Sequence, residues 1–190
     1  MMREDPRIER SRQVILRAAL AELGEVGYGA FTIESVAARA GVGKSTIYRH
    51  WREKIALIAD AFHTFHEEEL SDVSTGTPRE KLERIVRHVT ELVSDSVFSK
   101  CIPALIDGAA RAPEVRDFYH RFQAEARQPL IDVIVEGIAT GDFRAVIDPA
   151  LAGEALLGAI FYRRLMTNET LDADRAGELI ETVLGKANTR

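Results

Sequence analysis

Between Thr32 and Lys54 lie the side chains of this chain best suited to grip a polyanion. Lys44, Ser45, Thr46, Tyr48, Arg49 and His50 fall within seven residues, with Thr32 before them and Lys54 after. Hydroxyl and cationic groups of this kind make two sorts of contact with duplex DNA. Contacts to phosphate set register and carry no sequence information, whereas contacts to base edges in the major groove read the sequence. Lys44, Ser45, Thr46 and Arg49 fall where short hydrogen-bonding and cationic groups meet base edges. Thr32 adds a phosphate contact from the start of the preceding helix.

A helix must present these groups. Ile47 and Trp51, four apart, form the inner side of a short helix from about Lys44 to Trp51, with Ser45, Thr46 and Arg49 opposite and Tyr48 and His50 flanking. Trp51 reads as a core plug. Before it, Ile33, Val36, Ala37 and Ala40 recur at i, i+3, i+4 and i+7, which is the apolar stripe of another helix, and Thr32 is its N-cap. Gly41-Val42-Gly43 stops that helix, because glycine reaches the left-handed conformation that a helix C-terminus favours. Two short helices about a glycine turn are a helix-turn-helix.

Gly43-Lys44-Ser45 also matches the tail of a phosphate-binding P-loop, which makes a nucleotide-binding enzyme the rival reading. The first glycine of that motif would stand at position 38, where the residue is Ala38, and the preceding residues have helical rather than strand period. Neither a Ser-His-Asp arrangement nor paired carboxylates in a readable motif support catalysis. His63, His66 and Glu67 share a helix face but read as a polar edge opposite Phe62 and Phe65, so no metal site and no cofactor are expected. A third reading is a helical protein-interaction module without DNA binding.

The net charge of −5 conceals an asymmetry. Residues 1–56 hold ten Lys/Arg against seven Asp/Glu, and residues 57–190 hold fifteen against twenty-three. Attraction to phosphate is local, decaying over a Debye length of about 8–10 Å, so a basic head on an acidic body suits a DNA binder. A single cysteine excludes an internal disulfide, and no apolar run approaches the ~18 residues of a membrane span. The charged N-terminus lacks the apolar core of a secretory signal, and a cytoplasmic location is expected. Arg3, Arg7, Arg10 and Arg12 crowd the start of the first helix, either as a solvated terminus or as an arm that contacts DNA.

The run Gly27-Tyr28, Thr32-Ile33, Val36-Ala37, Ala40-Gly41-Val42, Thr46-Ile47-Tyr48-Arg49-His50-Trp51 and Lys54 resembles the DNA-binding domain of TetR/AcrR-family transcriptional regulators. Two positions depart from the family pattern: Gly43 stands where serine is common, and Trp51 where phenylalanine is usual. The loss of the serine removes a capping hydroxyl from the reading helix. The resemblance implies an all-α fold of about nine helices. An N-terminal three-helix helix-turn-helix domain, residues 1–54, would precede a C-terminal helical ligand-binding and dimerisation domain, residues 55–190. A fourth helix, about 53–70, would connect them as a lever. The resemblance further implies a homodimer that binds a palindromic double-stranded operator, acts as a repressor and is released by a small hydrophobic effector. In that family pattern Tyr48, His50 and Lys54 contact phosphate.

No strand signal interrupts the body. The first helix runs from about Pro6 or Ile8 to Val26 with Ile15, Ala18, Ala19 and Leu23 inward, and Gly27 sits at its C-terminus. SDVSTGT (71–77) is a linker. Thr77-Pro78-Arg79-Glu80 is a capping box, and the helix after it buries Leu82, Ile85, Val86, Val89 and Val93. A shorter helix spans about Lys100 to Arg111. The next starts at Pro113 and kinks at Pro129. Asp148-Pro149 opens a long helix to about Asn168, and the last spans about Ala173 to Lys186. Within this body the expected ligand-binding residues are Phe98, Cys101, Leu105, Phe118, Phe122 and Phe161. The last two helices are expected to form the dimer interface through Leu151, Ala155, Gly158, Ala159, Leu179 and Val183, with Ala152, Gly153, Leu156 and Ile160 on the same helix adding small and apolar surface.

Overall fold

The structure, a computed structural model, describes residues 6–69, 75–94, 97–144 and 148–185. The expectations placed on Arg3, on residues 71–74, on Lys186 and on the side chains of Arg7, Phe65, His66 and Glu67 lie outside what is described. Nine α-helices and no strand are found among the described residues: α1 (Pro6–Ala30), α2 (Ile33–Ala40), α3 (Lys44–His50), α4 (Lys54–Glu69), α5 (Pro78–Ser94), α6 (Val97–Arg111), α7 (Pro113–Thr140), α8 (Pro149–Tyr162) and α9 (Ala176–Leu184).

Local chemistry accounts for most boundaries. The Thr32 hydroxyl accepts from the Ser35 N–H at 3.1 Å, and the Ser35 hydroxyl accepts from the Thr32 N–H at 3.4 Å, so each residue caps the other. Such a cap contributes about 1 kcal/mol. Gly41 ends α2 at φ 68°, and the Val42 N–H returns to the Ala37 carbonyl at 3.0 Å. Thr77 and Glu80 form the expected box at 3.3 and 2.9 Å, and Asp148 accepts from the N–H groups of Ala150 and Leu151.

Several elements depart from the sequence-based expectation. α1 is broken at Gly27 (φ 72°) but resumes for a last turn to Ala30. α7, by contrast, carries Pro129 inside one helix and ends at Thr140, next to Gly141, where the sequence places its end. On α5 it is Thr90, not Val89, that is buried; its hydroxyl donates to the Val86 carbonyl at 2.8 Å, which satisfies the polar group inside the core. α8 stops at Tyr162 and widens into a π-helical turn, Arg163–Thr167, closed by Asn168 in the left-handed conformation. The Arg164 guanidinium donates to the Val93 carbonyl at 3.2 Å. A 3₁₀ turn, Ala173–Arg175, then leads into α9.

The helices group into two compact units. The first comprises Met1–His66 with Val97–Phe122, and the second Glu67–Ser96 with Gln123–Arg190. In the first, Ile15, Leu16, Leu20 and Leu23 of α1 are buried together with Phe31, Ile33, Val36, Ile47, Leu57, Ile58 and Phe62. α6 crosses α1 closely because glycines lie at the contact. A methyl at Gly24 would fall 2.9 Å from Lys100 Cβ, and one at Gly108 would fall 3.1 Å from Tyr28 Cβ. In the second unit α5, α8 and α9 pack on one another, burying Leu82, Ile85, Val86, Leu156, Ile160, Ile180 and Leu184. There the turn after α7 folds Phe143 onto Gly137, where a methyl would lie 2.2 Å from the ring.

Candidate nucleic-acid interface

The reading helix is held by its inner face alone. Ile47 is fully buried and Trp51 is 5% exposed. Lys44, Ser45, Tyr48, Arg49 and His50 are exposed, and Thr46 is half-buried. One short helix thus carries five exposed polar or cationic side chains and the half-buried Thr46 outside its apolar inner face. Gly43 begins α3 with no side-chain cap, and the Thr46 N–H donates to the Gly43 carbonyl at 2.9 Å. Lys44 lies 3.7 Å from Glu34, with both side chains more than half exposed. Such a pair is weak in water, so breaking it costs Lys44 little.

The surrounding head is tied by polar contacts that sequence reading did not supply. Asp60 on α4 accepts from the Trp51 indole N–H at 2.8 Å and from the Arg12 guanidinium at 2.5 Å. Arg12 therefore turns inward, while Arg10 is exposed. Arg39, at the end of α2, donates to Glu22 at 2.8 Å and also to Glu25 on α1. These two carboxylates raise the Arg39 pKa above its ordinary value, with Glu25 the larger cause. Glu22 is only 7% exposed, so this pair fixes α2 against α1.

Lys54 stands at the start of α4 with its ammonium turned inward. It donates to the Tyr28 carbonyl at 3.0 Å and to the Phe31 carbonyl at 3.5 Å, and lies 4.0 Å from the centre of the Tyr28 ring. Three interactions on one cation hold α4 to the end of α1, where helix carbonyls lack intrahelical partners. The Tyr28 hydroxyl donates to Glu114 on α7 at 3.0 Å. Burial first, and then the neighbouring Glu114 carboxylate, push this phenol up to about 12.

Of the expected ligand-binding residues, Phe98, Cys101, Leu105 and Phe118 are buried in the first unit, and Phe122 is half-buried there. Phe161 belongs to the second unit and is half-buried. The centre of the aromatic cluster is Phe62 of α4, whose ring meets those of Phe98, Phe122 and Phe118 edge-on at 4.7, 5.3 and 5.9 Å. Phe62 reads in sequence as one more member of an apolar stripe, and only the packing marks it out. Cys101 donates to the Leu20 carbonyl at 3.1 Å. Burial pushes its thiol up to about 12, which leaves it inert as a nucleophile.

The expected dimer residues divide between two environments. Leu151 is 65% exposed, and Ala155 and Gly158 are exposed. Ala159, Leu179 and Val183 are half-buried. Ala152, Gly153, Leu156 and Ile160 instead face the core of their own unit: all four are buried, and a methyl at Gly153 would meet Leu130 at 2.8 Å. Among the described residues no group of three or more His, Cys, Asp or Glu is gathered as for a metal ion. No helix among them is long and apolar enough to cross a membrane.

Comparison with known proteins adds to this geometry. Residues 15–61 match the pattern of the bacterial regulatory proteins of the tetR family, and residues 72–183 match the tetracyclin repressor-like C-terminal domain. The chain is 32% identical over 179 residues to YdeS, an uncharacterized HTH-type transcriptional regulator of Bacillus subtilis (strain 168), covering 92% of this chain and 88% of that protein. It is 26% identical over 152 residues to the fatty acid metabolism regulator protein of the same strain, covering 77% of each. Its fold is similar to that of the transcriptional regulator FadR from Bacillus subtilis in complex with stearoyl-CoA, with a TM-score of 0.73, 22% identity and coverage of 90% of this chain and 97% of that one. A helix-turn-helix with an outward polar face, followed by a matching regulatory body, makes the conclusion plain: the chain belongs to the TetR family and is a DNA-binding transcriptional regulator.

Proposed function

We propose that the protein is a homodimeric repressor that grips a palindromic operator with two copies of α3 and is released by a hydrophobic, acyl-bearing ligand. The observation that carries the DNA half is the outward face of α3, where Lys44, Ser45, Tyr48, Arg49 and His50 are exposed while Ile47 is fully buried. Ser45, Thr46, Arg49 and Lys44 read base edges, and Thr32, Tyr48 and His50 hold phosphate. Lys54 reaches phosphate only with the ammonium hydrogen left after its two carbonyl contacts. In function, residues 1–54 read DNA and residues 55–190 receive the ligand and the partner, as in the family; a regulator of DNA acts in the cytoplasm.

A single helix of this length spans about 10 Å, too few bases for useful specificity, so two heads about 34–36 Å apart supply the rest. The exposed stripe on α8 supports a second copy. Leu151, Ala155 and Gly158, with Tyr162 (63% exposed) and Met166 (73%), repeat every three or four residues along one face. A methyl at Gly158 would meet nothing within 4 Å, which leaves room for a partner's backbone. Ala159, Leu179 and Val183 extend this surface.

The effector half is supported by the aromatic cluster around Phe62 and by the similarity to a regulator solved with stearoyl-CoA. An acyl chain parts these rings and displaces α4, which begins at the edge of the reading head. A coupling of about 1–3 kcal/mol between the two sites changes operator affinity about 5–150-fold.

The test is selection of duplexes from a random pool by the full chain, followed by anisotropy at two salt concentrations with and without stearoyl-CoA. Enrichment of a palindrome, salt-sensitive binding, loss of binding in Arg49→Ala and His50→Ala, and release by the acyl ligand are expected. Enrichment of an asymmetric single site, or a monomer in sedimentation at micromolar concentration, overturns the dimer. Affinity unchanged by acyl-CoA of any chain length overturns the effector.

A further inference from the structure

We infer that Asp60 is a positioning residue for DNA reading: its carboxylate joins the Trp51 indole to the Arg12 guanidinium and so fixes how α3 leaves the head. This rests on the DNA-reading proposal above. Asp60 is placed on α4, two residues before Phe62, at the centre of the aromatic cluster. One of its oxygens accepts from Trp51 Nε1–H at 2.8 Å, and the other accepts from Arg12 at 2.5 Å. Arg12 also lies 3.7 Å from Glu9 on its own helix. Three helices therefore meet at one carboxylate.

Trp51 is the residue through which that carboxylate acts on α3. Its backbone N–H closes the last turn of the helix on the Ile47 carbonyl at 2.9 Å. Its ring stands 5.4 Å from the ring of His50, the last residue of the exposed face. A phenylalanine, usual at this position in the resemblance noted above, fills comparable space but has no donor. A buried indole N–H needs a partner, and Asp60 supplies it with a full charge at the acceptor. A ligand that displaces Phe62 moves Asp60 on the same helix turn and pulls on the residue that closes α3.

The tie acts by holding α3 in one pose. If its loss lowers the binding-competent fraction to a tenth, apparent operator affinity falls about tenfold. Cooperative reading of base edges requires that pose, whereas diffuse phosphate attraction does not.

The experiment uses the ¹⁵N-labelled full chain as wild type, Asp60→Asn, Trp51→Phe and the double variant. A single tryptophan gives a single indole N–H signal. In Asp60→Asn that signal and the backbone amides of residues 44–50 shift. On the duplex selected by the wild type, both single variants lose about tenfold in affinity. On a random duplex of equal length they change less than about twofold, and the double variant is no worse than either single. An indole signal that stays in place in Asp60→Asn overturns the inference. So do equal losses on the two duplexes, or losses that add in the double variant. If the wild type enriches no duplex, the DNA-reading proposal has failed, and the indole and α3 amide signals still decide whether Asp60 positions α3.

Discussion

The two units are held together in different ways. In the first, polar groups at the edge of the core are tied between helices: Arg39 to Glu22, Asp60 to Trp51 and Arg12, Lys54 to the carbonyls of Tyr28 and Phe31, and Tyr28 to Glu114. In the second, burial is mostly apolar and several ion pairs lie at the surface, as in Arg127–Glu154 and Arg175–Glu178; the polar ties between its helices, Arg164 to the Val93 carbonyl and Lys81 to Glu136, are fewer among the described residues. Apolar burial is non-directional and yields stability, whereas a hydrogen bond to a charged group constrains angle as well as distance. Under the proposed function, a unit that presents α3 at a set angle gains from the second kind of contact, and a unit that leaves Leu151, Tyr162 and Met166 in solvent for a partner gains from the first.

The contrast is tested most severely at the aromatic centre of the first unit. Phe62→Ala is expected to lower stability by about 3–5 kcal/mol in denaturant titration, because three ring contacts are lost and the core cannot close over the gap. Loss below about 1 kcal/mol would mean that the cluster is loosely packed. The matching site in the second unit is Gly137→Ala, expected to cost about 1–3 kcal/mol because the new methyl meets the Phe143 ring. Per folded molecule, DNA affinity is expected to stay at the wild-type level.

A pH titration separates the units by their chemistry. The folded phenol of Tyr28 titrates near 12 rather than near its ordinary value of 10. Between these values the native state holds a proton that the unfolded chain has lost, so the contribution is complete below pH 10 and disappears as pH rises from about 10 to about 12. Tyr28→Phe is expected to flatten alkaline unfolding in that window; an unchanged profile would exclude this phenol as the cause.

Smaller effects are expected from the caps and the surface. Thr32→Ala removes the hydroxyl that caps α2 and is expected to cost about 1 kcal/mol, with a parallel fall in DNA affinity if this hydroxyl also holds phosphate. Arg175→Gln removes an exposed pair with Glu178 and is expected to leave the thermal midpoint unchanged. A measurable drop there would show that the second unit also depends on directional charge contacts.

The parts legible in the sequence are those set by short-range rules. Thr32, the stripe from Ile33 to Ala40, Gly41 and the inner pair Ile47–Trp51 define α2, the turn and α3, because each depends on residues within a turn or two. The box at Thr77 and the N-cap at Asp148 were legible for the same reason. What was not legible depends on distant partners. Asp60 carries no sequence signal, since nothing local shows that Arg12 and Trp51 converge on it. Lys54 reads as a phosphate contact until the end of α1 is placed beside it. The apolar residues of α8 all resemble interface, and only packing separates buried Leu156 and Ile160 from exposed Leu151.

The close crossing of α1 and α6 bears on how such regulators are recombined. Gly24 and Gly108 bring α6 against the helix that carries the reading head, so α6 and the start of α7 belong to the same compact unit as α1 through α4. A chimera cut at residue 54 would join a foreign head to an α6 shaped for other neighbours: a side chain standing where Gly24 does would meet Lys100, and a residue replacing Tyr28 would have to fit against Gly108. A transplant that carries residues 97–122 along with the head keeps both crossings intact.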